Sequence, residues 1–160
     1  MIYQSPFPPV DIPVAPLHDF VFEHADRWPD KPALIDGPTD RTITYGQLRA
    51  AVTRVAAGLA ARGFGKGDVF AIYSPNLPEY AVAFHGVSTA GGVITTMNPL
   101  YTANEVQRQL KDSGAKFLLT IPQFLEKAQQ AVTGTAVTEV FVFGEADGAT
   151  PFAALMADGS

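Results

Sequence analysis

Residues 69–97 read VFAIYSPNLPEYAVAFHGVSTAGGVITTM, and the fold is decided there. Val69–Tyr73 is an unbroken apolar run of strand length, the pattern of a strand covered on both faces rather than on one. Ser74-Pro75-Asn76 breaks the run, apolar residues then recur at helical spacing over Leu77–Ala90, and Gly91-Gly92 ends that helix. Val93–Met97 is a second strand. Two strands joined by one helix lie parallel, with a right-handed crossover.

Downstream the alternation continues, with a helix over Ala103–Ser113, a strand over Lys116–Thr120 and a helix over Pro122–Val132. Glu139–Phe143 and Pro151–Ala157 supply one more strand and helix. The expected fold class is therefore α/β: a Rossmann-like, mostly parallel sheet of about four strands flanked by helices. Upstream, Thr44 and Gln47 have capping-box spacing and open a helix with Leu48, Val52, Val55 and Leu59 on one face, closed by Gly63 at C′. Ala33–Asp36 and Arg41–Thr44 read as short strands of a hairpin joined through Gly37 and Pro38. Leu17, Phe20, Val21, His24, Ala25 and Trp28 follow helical spacing up to Pro29, which places His24 on an apolar stripe as a core or boundary residue. Eight of the 13 prolines lie at or before Pro38, and Ser5–Pro16 is expected to run extended over a surface. The expected organisation is an arm, helix and hairpin over 1–45 packed on an α/β subdomain over 46–160.

Composition bounds the function. The chain has 160 residues, enough for one real core, and 17% of them are charged where a globular domain carries about 25%. That deficit fits strands buried on both faces, or a surface that meets something else. The net charge is −5 and the 11 Lys and Arg are scattered between Arg27 and Lys127, so nucleic acid is not an expected partner. With no cysteine and three separated histidines, disulfides, thiolate catalysis and a metal cluster are not expected. The first residues, MIYQSPFPPV, lack the basic and apolar regions of a secretory signal, and the expected location is the cytoplasm. Tyr80–Asn104 carries no Asp, Glu, Lys or Arg, but its glycines, Pro99 and threonines argue against a transmembrane span.

In an open parallel sheet, ligands bind beyond the carboxyl ends of the strands. The residues there are Ser74, Pro75 and Asn76, then Asn98 to Thr102, Ile121 with Pro122, and Gly144 with Glu145. Apart from Glu145 they offer hydroxyls and amides, which position a ligand but do not exchange protons near neutral pH. Glu79 and Glu105 resemble a carboxylate pair. Asn76 with Glu79 and Thr102 with Glu105 nevertheless have capping-box spacing, and capping is favoured over catalysis; Thr120 and Gln123 with Pro122 form a similar start. Gly63-Phe64-Gly65-Lys66-Gly67 follows a helix and opens a strand, the reverse of a phosphate loop, and is read as a connecting turn. His85 is a boundary histidine without a triad partner, no GxSxG elbow occurs, and Ser74 and Thr120 stand where a receiver domain needs acids.

Several blocks together carry a resemblance. Ser74-Pro75-Asn76-Leu77-Pro78-Glu79-Tyr80, Ala90-Gly91-Gly92 and Asn98-Pro99-Leu100-Tyr101-Thr102-Ala103-Asn104-Glu105 are similar to the amino-terminal region of AMP-forming acyl-CoA synthetases. The 4-coumarate and fatty-acid CoA ligases form the nearest branch of that adenylate-forming superfamily. Thr42 to Leu48 and Leu110 to Lys116 fit the same pattern. The resemblance implies a parent enzyme using ATP, Mg and CoA: a carboxylate attacks the α-phosphate of ATP, giving an acyl-adenylate and pyrophosphate, and the CoA thiol then displaces AMP. The family's Ser/Thr/Gly-rich phosphate loop, Tyr-Gly-x-Thr-Glu segment, ribose-binding Asp and carboxyl-terminal Lys have no match up to Ser160. No catalytic, cofactor-binding or metal-binding role is therefore transferred to any residue, and no cofactor is expected in this stretch alone.

The expectation is an amino-terminal piece of an acid:CoA ligase, inactive by itself, whose partners are the remainder of the parent enzyme, meaning a second sheet and a carboxyl-terminal domain, and a carboxylic acid substrate. The alternative is a stand-alone α/β scaffold or self-association module without catalysis. A small flavodoxin-like nucleotide binder would need an anion-cradling loop after a strand, and none is found.

Overall fold

Period-two alternation splits the strands between two cores. Phe70 and Ile72, Phe117 and Leu119, and Phe141 with Phe143 pack to one side against Val52, Val55 and Leu59, Val82 and Val87, and Leu155. Ala71, Tyr73 and Leu118 pack to the other side against Val106, Leu110, Ala128 and Ala131. Because successive side chains of one strand enter opposite cores, the central positions of the inner strands are apolar, and this accounts for the unbroken runs in the sequence.

The structure, a computed structural model, describes residues 5–158. Its elements are α1 (Leu17–Phe22), β1 (Pro32–Ile35), β2 (Thr42–Thr44), α2 (Tyr45–Ala61), β3 (Val69–Tyr73), α3 (Pro78–Thr89) and β4 (Val93–Met97). They continue with α4 (Ala103–Ser113), β5 (Phe117–Thr120), α5 (Leu125–Ala131), β6 (Glu139–Val142), β7 (Thr150–Pro151) and α6 (Ala153–Asp158). The main sheet runs β4-β3-β5-β6-β7 with every neighbouring pair parallel. β1 and β2 form a separate antiparallel hairpin. The α/β class and the flanked parallel sheet are thus as expected. A fifth strand, β7, extends the sheet beyond the four read from the sequence. It escapes a periodicity reading because it is two residues long and one is Pro151, which an edge strand tolerates. Pairing there also delays the last helix to Ala153.

Local chemistry sets the helix ends. Thr44 caps α2 by accepting from the Gln47 amide while the Gln47 side chain accepts from the Thr44 amide, and Thr102 with Glu105 does the same for α4. Gly63 and Gly114 take positive φ, +69° and +64°, at the ends of these two helices. Two glycines inside helices have a packing role. A Cβ on Gly86 would lie 2.5 Å from Val55 Cγ1, and one on Gly58 would lie 1.9 Å from the Leu155 carbonyl oxygen. Backbone contact between α2 and its neighbours α3 and α6 requires both.

The amino-terminal helix departs from the expected stripe. It ends at Phe22, and a 3-10 turn over Ala25–Arg27 follows. Phe22 and Ala25 are the buried residues, whereas Leu17, Phe20, Val21 and Trp28 are exposed. His24, expected in the core or at its boundary, is exposed too. Within α1, Leu17 and Phe20 lie on the side opposite Phe22, and the backbone at His24, with φ −108° and ψ 4°, leaves the α-helical basin before Ala25. Residues 5–16 are exposed along their length, as expected of an extended arm. Among the described residues no helix is long and apolar enough to cross a membrane.

Candidate functional site

The chain leaves β3 for β4 on one side and returns through α4 to β5 on the other, so strand order reverses between β3 and β5. The carboxyl ends of these two strands flank the crevice where an open α/β sheet binds ligands. Side-chain hydrogen bonds tie its floor. The buried Thr120 hydroxyl donates to the Tyr73 carbonyl at 2.9 Å, across the strand pair. Ser74, also buried, donates its hydroxyl to the Pro75 carbonyl at 2.8 Å. Ser74 and Thr120, the residues standing where a receiver domain would need acids, therefore engage backbone through their hydroxyls.

A second network pins the loop after β4. The Tyr73 phenol donates to the Tyr101 carbonyl at 2.9 Å and to the Pro99 carbonyl at 3.3 Å. Lys127 of α5 donates to the same Tyr101 carbonyl at 3.0 Å, with its ammonium 5.9 Å from the Tyr73 ring centroid and 5.6 Å from that of Phe124. The Leu100 amide bonds to Asn98 Oδ1 at 3.0 Å, forming a tight turn. Lys127 escaped the sequence reading: it lies within a helix rather than in a post-strand loop, and only folding brings it to this edge. Its ammonium faces aromatic rings and a carbonyl, a contact that holds structure.

Glu79 and Glu105 separate in role. Glu105 closes its capping box, and the hydrogen bonds from the Thr102 amide and hydroxyl hold its carboxyl below the usual range. Glu79 does not cap with Asn76. Pro78 occupies the first turn of α3 and Leu77 becomes the N-cap residue, which puts Asn76 one position too early. Glu79 instead forms a two-pronged pair with Arg41 of the hairpin, with Nη2 2.8 Å from Oε2 and Nη1 bonded to Oε1. The hydrogen bonds, with charge attraction added, lower the Glu79 pKa and raise that of Arg41. The same shift of register undoes the Thr120–Gln123 start, since Ile121 precedes Pro122 as N-cap and Thr120 turns inward.

The glycine run forms the predicted connecting turn, at the amino end of β3 and opposite the crevice. Asp68 there accepts from the Gly65 amide at 3.0 Å and from Lys116 Nζ at 2.9 Å. The lysine hydrogen bond is the leading cause of its lowered pKa. Ser88, His18 and Asp19 stand in triad order, with 3.5 Å between Ser88 Oγ and His18 Nδ1 and 3.5 Å between His18 Nε2 and Asp19 Oδ1. Ser88 lies in the last turn of α3, where the free backbone groups are carbonyls, so no oxyanion donor faces it. His85 sits half-buried as a boundary residue, its ring against Phe22 and Phe84. Among the described residues no three His, Asp or Glu are grouped to hold a metal ion. The loops after β3 and β5 carry no glycine to cradle a phosphate, and the Lys127 ammonium bonds the Tyr101 carbonyl.

The comparisons with known proteins converge. A family model described as AMP-binding enzyme matches residues 21–153. Among curated relatives, 4-coumarate--CoA ligase 3 of Arabidopsis thaliana is 44% identical over 127 residues, covering 79% of this chain and 23% of that protein. 4-Coumarate--CoA ligase 5 of Oryza sativa subsp. japonica is 42% identical over 162 aligned positions, covering 99% of this chain and 29% of that protein. The chain thus spans about a quarter of the length of the curated relatives it matches. A long-chain-fatty-acid-CoA ligase structure from Archaeoglobus fulgidus superposes with a TM-score of 0.87 at 23% identity, covering 99% of this chain and 33% of that one. A fatty acyl CoA synthetase structure from Mycobacterium tuberculosis gives 0.71 at 28% identity over 79% of this chain and 26% of that one.

Proposed function

Because the chain belongs to the AMP-binding enzyme family, we propose that it is the amino-terminal part of an ATP-dependent acid:CoA ligase and has no turnover alone. The parent reaction joins a carboxylate to AMP with release of pyrophosphate, then passes the acyl group to the CoA thiol. Support for the reaction comes from the relatives' names and the family match across residues 21–153. The observation that carries the inactivity of the short chain is the tied floor of the crevice. Thr120, Ser74 and Lys127 all bond to backbone, and the loops after β3, β4 and β5 offer no carboxylate or imidazole to move a proton.

In this reading residues 1–45 are a strap on the subdomain 46–160, supported by Phe22, Ala25, Ile43 and Tyr45 packing into the first core; residues 1–4 and 159–160 fall outside the described part. The remainder of the parent supplies the nucleotide, Mg and CoA sites and lines the acyl pocket, and the protein works in the cytoplasm. Incubation with ATP, Mg, CoA and a panel of aromatic and fatty acids tests this. The 160-residue chain should release no pyrophosphate above background, while the same chain extended to the relatives' length should do so with at least one acid. Turnover by the short chain would overturn the inactivity, and an extended chain inert to every acid would overturn the ligase assignment.

The exposed Leu17, Phe20, Val21 and Trp28 favour one further possibility, self-association of the isolated chain through its amino-terminal face. Sedimentation over a wide concentration range separates this from the primary reading, in which the covering surface belongs to the parent.

A further inference from the structure

The contact of α1 with α3 has an unusual chemistry. Phe22 is the one buried residue of the six-residue α1, and its ring meets the His85 ring edge-on at a centroid distance of 5.3 Å. His85 Nδ1 and Thr89 Oγ1, one turn apart on α3, are both buried and bond to no atom of the described residues. On the α1 side, His18 approaches Ser88 Oγ through Nδ1 at 3.5 Å. A cleft of about 360 Å³ separates α1 from α2 and α3, lined by His18, Phe22, Arg49, Val52 and Thr89 and by acidic residues.

We propose that α1 is a proton-released strap: it docks on α3 while His85 is neutral and lifts when His85 takes up a proton. Imidazolium needs a hydrogen-bond acceptor at each nitrogen, and with the Phe22 ring against it His85 keeps Nδ1 buried without one among the described residues. Lifting Phe22 gives that nitrogen water. The helix is poorly anchored in other respects, with no side-chain N-cap and with Leu17, Phe20 and Val21 exposed, so a modest penalty can release it.

The charged groups that face the contact are His18, Asp19 and Glu23 from α1 and its end, Asp26 from the 3-10 turn, and Arg49 from α2, which pairs with Asp26. The other titratable groups of α3, Glu79 and Tyr80, lie in its first turn, with Glu79 paired to Arg41. A charge on His18 opposes one on His85, and burial opposes it more strongly; together they hold His85 below its ordinary value of 6.5. The sign follows. A histidine held neutral by docking contributes fully above 6.5, and its contribution weakens as pH falls below that value.

Hydrogen exchange of the 160-residue chain at pH 7.5 and 5.5, corrected for intrinsic rates, tests this. Protection of the α1 amides should fall at the lower pH by up to about tenfold, the limit set by pH 5.5 lying one unit below 6.5, with α2 and α4 unaffected. His85→Leu should hold α1 protection equal at both pH values, and His24→Gln, on the exposed side, should keep the wild-type loss. If His85→Leu does not fold, proton NMR of the wild-type chain decides, since the His85 ring and the α1 amides should titrate with one midpoint below 6.5. Equal α1 protection at both pH values in the wild type, the same loss in His85→Leu, or separate midpoints would overturn the proposal. None of these outcomes depends on the ligase reading.

Discussion

Removing the Thr120 hydroxyl while keeping its shape isolates the bond across the crevice. Thr120→Val leaves the buried Tyr73 carbonyl without that partner and should lower stability by about 1–3 kcal/mol, read from urea unfolding. Thr120→Ser should retain most of it. The Arg41–Glu79 pair lies nearer water, with side chains 50% and 30% exposed, and after screening should contribute no more than about 1 kcal/mol. Its pH dependence has a definite sign. Glu79 titrates lower in the folded chain than the ordinary 4.5, so the contribution is complete above that value and is lost as pH falls through the folded pKa. Acid unfolding of Arg41→Gln should lack this component, and the double variant with Glu79→Gln should differ little from either single one.

At the scale of elements, helix packing makes its own prediction. Gly86→Ala places a methyl against Val55 and should destabilise by about 1–3 kcal/mol despite the better helix propensity of alanine. Gly58→Ala meets the Leu155 backbone and should instead displace α6, visible as faster hydrogen exchange in that helix. The central β3-α3-β4 unit, the helix α4 and the Thr44 and Thr102 caps were readable from spacing, because a strand buried on both faces and a capping box each leave an unambiguous local pattern. Asn76–Glu79 and Thr120–Gln123 share the same spacing and fail. In each a proline occupies the first turn and hands the cap to the residue before it, freeing Glu79 for Arg41, 38 positions away, and Thr120 for Tyr73. The stripe on α1 misled for a different reason: a helix of six residues buries whichever side its neighbours offer, and periodicity does not record which that is. At the candidate site the post-strand loops were foreseen. Lys127 and the phenol of Tyr73, which arrive through tertiary packing, were not.

For the molecule as a whole, the scarcity of charge now has two sources. The sheet is covered on both faces, consuming apolar residues in every strand, and the amino-terminal face shows Leu17, Phe20, Val21 and Trp28 to solvent. On the proposed reading this sheet, though it has the strand order of a nucleotide-binding fold, holds no nucleotide on its own. Calorimetric titration of the purified 160-residue chain with MgATP tests it most directly. The account predicts no saturable heat up to millimolar nucleotide; a saturable isotherm with one site per chain, abolished by Thr120→Val or Lys127→Met, would contradict it.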